Sequence, residues 1–308
     1  MQYTVQETDN GKSVKELICD LLHPSAKMLK YLKYREDGIL LNGRRVTVRA
    51  TVQTGDILTL SLLDPQGAKG PEPVPLPLEI LYEDEDLAVP SKPGNMPTHP
   101  SRDHALDTVA NALAYRYRMG PTPFVFRPVN RLDRETSGLL LVARNKLSAG
   151  RLTQSMQAGE IRKTYLAVLA GTSLADEGEI CLPLHRSAAS IIVREVCRPD
   201  APDAEPSRTH YRILERRNGY SLAEAQPLTG RTHQLRVHFA SGGCPIVGDT
   251  LYGTPDARIG RQALHARSLS FPHPTTGERM TLTAPLPNDF AGLVAELFPD
   301  RKGDFDEP

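Results

Sequence analysis

Asp133 stands between two arginines in the run Pro128-Val129-Asn130-Arg131-Leu132-Asp133-Arg134-Glu135-Thr136-Ser137-Gly138, which leads directly into Leu139-Leu140-Leu141-Val142. A buried strand entered from so polar a loop places a carboxylate at the edge of a core with cations beside it. Thr136 and Ser137 can hydrogen-bond neighbouring backbone and stiffen the loop. A turn closed by a surface ion pair explains the same residues.

Two further stretches carry chemistry. In Lys163-Thr164-Tyr165-Leu166-Ala167-Val168, strand alternation puts Lys163 and Tyr165 on one face and Thr164, Leu166 and Val168 on the other. That pair can line a polar cleft, and a half-exposed edge strand accounts for it equally. In Leu228-Thr229-Gly230-Arg231-Thr232-His233-Gln234-Leu235-Arg236-Val237-His238, Thr229 or Gly230 can cap a helix starting near Arg231, whose free N–H groups attract an anion. Arg231, Leu235 and His238 then fall near one face. His233 and His238 are five apart, which is not the four-residue spacing of a helical metal pair. Satisfied polar packing explains both imidazoles.

The elements that must position these residues fall into two groups. In residues 11–62, Val14, Leu17, Ile18, Leu21 and Leu22 recur at helical spacing, and a Lys-rich helix is expected from Ser25 to about Lys33. Ile39–Leu41 enters an Asn42-Gly43 hairpin turn and returns through Val46 and Val48; Gly55-Asp56 precedes a strand over Ile57–Leu62. The segment DPQGAKGPEPVPLP, residues 64–77, reads as a linker because its Pro and Gly continue neither regular structure. Beyond it, strands are expected over Leu78–Tyr82, Leu87–Pro90, Gly138–Ala143, Ile161–Ala170, Tyr211–Arg216, Tyr220–Pro227, Leu264–Phe271 and Met280–Ala284. Helices are expected over Leu106–Tyr117, Lys146–Gln157 and Thr232–Phe239, and Arg198–Ser207 reads as a surface loop. Strands outnumber helices and short turns join neighbours, which predicts an α+β fold with a mainly antiparallel, mixed sheet.

The chain of 308 residues suits two domains. Its formal net charge is zero, yet Lys27, Lys30, Lys33, Arg35, Arg44, Arg45 and Arg49 cluster near the start while Asp300, Asp304, Asp306 and Glu307 crowd the end. The four cysteines show no CxxC spacing, which predicts neither a disulfide framework nor a zinc site. The polar start is no signal peptide and no apolar run is long enough to span a bilayer, so a cytoplasmic protein without a membrane partner is expected.

Together the three stretches resemble the RluA-type pseudouridine synthases, which modify ribosomal and transfer RNA. Asn130–Leu141 is similar to that family's RLD…TSG signature, Lys163–Ala167 to its K-x-Y motif and Leu228–His238 to its GRTHQLRVH motif. Gly248-Asp249 with Tyr252, Leu264-His265-Ala266 and Ala284-Pro285-Leu286-Pro287 follow in the family's order. Ile80–Glu85 and Lys92-Pro93-Gly94 look like its opening pattern. Residues 1–63 resemble a small alpha-L RNA-binding domain, so the implied plan is that domain, the 64–77 linker, a catalytic domain over 78–300 and an acidic tail over 301–308.

The resemblance implies an enzyme that cuts the bond from base nitrogen to ribose, turns the base and joins its carbon 5 to the sugar. No metal or organic cofactor is implied. Asp133 takes the catalytic place, either attacking the ribose or assisting proton removal from it. Arg231 matches the arginine that pairs with this aspartate and holds it ionised and oriented. Tyr165 matches the residue packed against the target base. Lys163, Arg131 and Asn130 are expected to contact substrate or support the site, and Asn130 stands where the family commonly has His. Lys27, Lys30, Lys33, Arg44 and Arg45 are expected to bind RNA phosphates. The partner is then RNA, bound by a monomer. A non-catalytic RNA-binding protein on the same scaffold is the alternative; a metal-dependent hydrolase using Asp133 and His233 lacks paired carboxylates at metal spacing.

Overall fold

A computed structural model describes residues 1–22, 24, 26–62, 70–120, 124–301 and 303–305. Ser25, linker residues 64–69 and tail residues 306–308 lie outside this set, as does the side chain of Lys27.

Helix α1 (Val14–Leu22) opens on a capping box: Ser13 Oγ accepts from the Glu16 amide at 3.2 Å, and Glu16 Oε2 accepts from the Ser13 amide at 2.7 Å. Its apolar stripe of Val14, Leu17, Ile18 and Leu22 is buried against Val5, Leu32, Ile39, Val52, Leu58 and Leu60. Helix α2 (Ala26–Tyr34) buries Met28 and Leu32 and leaves Lys30 and Lys33 exposed. A four-stranded sheet completes this unit, in the order Gln2–Thr4, Ile57–Leu60, Ile39–Leu41, Arg44–Arg45. Asn42 and Gly43 hold positive φ at the hairpin, as a tight two-residue turn requires. The returning strand is only Arg44–Arg45; Val46 and Val48 turn inward to cover the small core.

The second unit is built on an eleven-stranded sheet. Its path runs Glu177–Ile180, Thr209–Arg217, Tyr220–Pro227, Arg162–Ala170, Leu264–Pro272, Ser137–Leu139, Leu87–Lys92, Val142–Ala143, Arg127–Pro128; Arg279–Thr283 and Glu79–Glu83 pair beside it. Among the described residues the pairings are antiparallel except between Leu264–Pro272 and Ser137–Leu139, so the expected α+β fold with a mainly antiparallel, mixed sheet is what forms. Arg162–Ala170 runs through the middle, with Tyr165–Leu169 buried.

Helices α3 (Val109–Arg116), α4 (Lys146–Gln157), α5 (Gln234–Ser241) and α6 (Asn288–Leu297) cover the sheet. The expected start of α3 at Leu106 is shortened because Thr108 caps it through the Asn111 amide, leaving Leu106 exposed. The expected strand Gly138–Ala143 divides in two, since Asn130 Oδ1 takes the Leu141 amide and the Leu140 amide bonds Pro90 O. Residues 70–77 of the predicted linker lie along α3: the Val74 amide donates to Asn111 O, and Asn111 Nδ2 to Glu72 O at 2.8 Å. Among the described residues no helix is long and apolar enough to cross a membrane.

Candidate active site

The loop 130–136 crosses the mouth of a cleft of about 790 Å3, which brings Asp133, Arg131, Lys163, Tyr165, Arg231 and His233 to one wall system. Buried side chains from other elements hold the loop. Thr98 Oγ1 donates to Leu132 O at 2.9 Å, and Lys92 Nζ donates to the carbonyls of Pro93, Met96 and Arg134. Burial, helped by Arg261 and opposed by Asp133, pushes the Lys92 ammonium down to about 7. Thr136 and Ser137 do not bond the loop backbone as their chemistry first suggests. Thr136 accepts from Gln262 Nε2 at 3.0 Å and Ser137 pairs with His265 Nδ1 at 2.9 Å, both across to the strand region after 260. Gly138 permits this closeness: it has φ +110°, and a Cβ there would lie 2.2 Å from Ala266 O.

The partner of Asp133 is Arg236, not Arg231. Arg236 Nη1 donates to Asp133 Oδ2 at 3.3 Å, while its Nε and Nη2 donate to the two oxygens of fully buried Asp249 at 2.6 and 2.8 Å. Burial opposes both charges of the inner pair, but their mutual bonds prevail: the guanidinium is raised and the Asp249 carboxyl lowered from their ordinary values. Arg231 instead donates to Pro206 O at 3.2 Å and Glu205 Oε1 at 3.2 Å, half-exposed on the cleft rim. The physical reason lies in the helix start. His233 adopts left-handed φ 57°, so α5 begins at Gln234 and Arg231 lies in the loop before it. Thr229 Oγ1 and the Arg231 amide both donate to Gln234 Oε1, at 2.7 and 3.1 Å, closing that loop.

His233 connects a second chain of contacts. Its Nδ1 lies 2.8 Å from Tyr252 Oη and its Nε2 3.9 Å from Asp133 Oδ2; Tyr252 Oη also accepts the Arg194 amide at 2.8 Å. Burial pushes the imidazole below its ordinary value, against the pull of Asp133. His238 points away, to Thr209 Oγ1 and Leu182 O, and is the satisfied packing histidine the sequence suggests.

Lys163 and Tyr165 share the cleft face as strand alternation predicts. Burial keeps the Tyr165 phenol protonated well above the usual range, with Asp133 adding to the shift, and burial lowers Lys163. Arg131 is exposed at the rim. Asn130 is buried, and it bonds the backbone of Leu141 at 2.7 Å and Leu139 at 3.4 Å, so it shapes the loop. On the N-terminal unit Lys30, Lys33, Arg44, Arg45 and Arg49 are exposed, whereas Arg35 is held bidentately by Asp37. Around Asp133, sequence reasoning gave no role to Arg236 or Lys92, quoted Asp249 and Tyr252 only as part of a motif order, and weighed His233 only as packing or in the metal-hydrolase alternative. The signal was present, since Arg236 lies in the same stretch as Arg231 and Asp249 in the next motif.

Residues 86–241 match the family model described as RNA pseudouridylate synthase. The chain belongs to this family. It is 37% identical over 270 residues to the uncharacterized RNA pseudouridine synthase YjbO of Bacillus subtilis, across 88% of this chain and 94% of that protein. It is 33% identical over 319 residues to ribosomal large subunit pseudouridine synthase D of Vibrio cholerae, across 97% of this chain and 95% of that protein. The solved structure of human RNA pseudouridylate synthase domain containing 1 superposes with a TM-score of 0.56 and 31% identity, over 68% of this chain and 84% of that one. The protein is thus an RNA pseudouridine synthase, an isomerase, and residues of the matched segment, Asp133 and Arg236 among them, line the cleft.

Proposed function

We propose that this synthase isomerises a uridine of structured ribosomal or transfer RNA, with Asp133 as the catalytic carboxylate. The observation that carries the reading is the placement of Asp133 in the cleft with one oxygen bonded to Arg236, which Asp249 fixes in turn. Attack on the ribose and proton removal from it both need a carboxylate oxygen held toward the sugar, and this clamp supplies that orientation. The target uridine must leave its stack to reach the cleft. Tyr165, neutral and buried, is the face on which its base lies, and Arg131 at the rim meets the displaced strand. The N-terminal unit, 1–63, grips RNA phosphates through Lys30, Lys33, Arg44 and Arg45. It serves a catalytic domain over 78–300, in a monomer acting in the cytoplasm. The name of the Vibrio cholerae relative favours ribosomal RNA.

Asp133→Asn tests the assignment, because amide and carboxylate are nearly isosteric. Tritium release from RNA labelled at uridine carbon 5 should vanish while circular dichroism and RNA affinity stay close to native. Substantial turnover removes Asp133 from the catalytic place. Pseudouridine mapping in RNA from cells with and without the gene then identifies the uridine.

A further inference from the structure

Helix α4 touches both units. At its first turns, Leu147 packs against the N-terminal core and Lys146 Nζ sits 3.3 Å from the centroid of the Tyr31 ring on α2. One turn on, Arg151 donates to the carbonyls of Leu21 and Leu22 at 3.4 Å each and to Pro274 O at 2.9 Å. Those two leucine carbonyls belong to the last turn of α1, which has no basic residue of its own there. Arg151 therefore caps a helix C-terminus, where freed carbonyls and the helix dipole favour a cation. At its other end α4 supplies Met156 to the cleft, followed by Gly159 and Ile161. The helix has 12 residues, so its two ends lie about 18 Å apart at about 1.5 Å per residue.

We propose that α4 is a strut that fixes the N-terminal unit at one spacing from the cleft, with Arg151 as its latch. A long folded RNA is then held at two places by one rigid surface. The inference rests on the reading of the N-terminal unit as an RNA grip. Its physical content is preorganisation: two grips already in register bind one RNA without the ordering cost that two independently moving grips must meet. Arg151 is a positioning residue, remote from the reacting atoms.

The test uses the full chain as wild type, Arg151→Ala and the double variant Lys30→Ala/Lys33→Ala. Each is assayed on a long folded RNA substrate and on the shortest stem-loop from it that still reacts. For Arg151→Ala, KM on the long RNA should rise about tenfold as the two grips lose their shared register. Turnover at saturation, the salt dependence of binding and KM on the stem-loop should stay near wild type. Hydrogen exchange at the end of α1 should speed up, reporting release of the latch. The double lysine variant should bind the long RNA more weakly with a flatter salt dependence, by about 0.7 in slope for each phosphate left without its cation. If the double variant binds like wild type at all salt concentrations, the RNA grip itself fails and the strut with it. Should the lysine variant weaken binding while Arg151→Ala leaves KM on the long RNA unchanged, the strut alone is wrong. Equal loss on both RNAs in Arg151→Ala also overturns it, because the effect then lies in the cleft or in general stability.

Discussion

Arg236 grips Asp249 with two hydrogen bonds of 2.6 and 2.8 Å and reaches Asp133 with the remaining arm at 3.3 Å. The buried pair is thus the mount and Asp133 the part it aims. Asp249→Asn should lower kcat by about a hundredfold, the scale expected when a reacting group shifts by about 1 Å. Loss of a buried charge partner should also cost about 3 kcal/mol of stability, so urea unfolding accompanies the assay. Arg231→Ala is the contrast. Its partner is half-exposed Glu205, and such a pair is worth at most about 1 kcal/mol, or about fivefold. Tritium release should therefore show a nearly normal kcat in Arg231→Ala, and a collapse there would restore Arg231 as the partner that matters.

Tyr252→Phe removes one oxygen that serves two groups, the Arg194 amide and His233 Nδ1, each at 2.8 Å. Leaving buried polar groups without partners costs about 1–3 kcal/mol, and the His233 ring beside Asp133 then keeps its edge-on packing against the ring at position 252 but loses the hydrogen bond that fixes it. Thermal unfolding should fall and kcat should drop, with KM on RNA little changed. Unaltered kcat in a destabilised variant would make the Tyr252–His233 hydrogen bond a matter of folding only.

Gly138→Ala tests whether the loop can be built with any side chain at that position. The added Cβ would meet the Ala266 carbonyl at 2.2 Å with φ held at +110°. Left-handed strain and overpacking together should cost at least about 3 kcal/mol, and a parallel pairing of the sheet, the one among the described residues, runs through this point. Denaturant unfolding should show the loss, with activity falling in step. Wild-type stability would mean that the strands separate freely.

Much of this was readable in the residues. The helix expected over Lys146–Gln157 forms with those bounds and with Asn145 as its cap, and the strands over Arg162–Ala170 and Tyr220–Pro227 match within a residue. Such elements are governed by local periodicity and caps, which a sequence displays. The arginine assignment failed because it depended on where α5 starts. A left-handed His233 is a local exception to helix-start chemistry, stabilised by Tyr252 nineteen residues away. Strand Gly138–Ala143 divides for a similar reason, since Asn130 reaches forward to take the Leu141 amide. Local pattern cannot show a bond made across the fold. The Arg151 latch is of the same kind, because its partners lie more than a hundred residues away.

His265 gives the fold a defined acid sensitivity. Its ring is almost wholly buried beside Ser137, and burial lowers its pKa from 6.5 to about 3, with Arg261 and Arg267 adding to the shift and a backbone bond to Ala284 opposing it. The folded state therefore stays neutral at His265 while the unfolded chain takes up a proton below about 6.5. More protons bound in the unfolded state means that stability falls as pH falls. The contribution is complete above 6.5 and is lost between 6.5 and about 3. The slope of one such group is about 1.4 kcal/mol per pH unit, so about 2 kcal/mol should be missing at pH 5 relative to pH 7. His233 and His238 are lowered by burial too and act in the same direction. His265→Asn isolates the one residue, because asparagine does not titrate. Its stability at pH 7 should be reduced, and the difference from wild type should shrink by about 2 kcal/mol at pH 5. Parallel urea-unfolding curves for the two proteins across this range would show that His265 accepts its proton in the folded state without penalty.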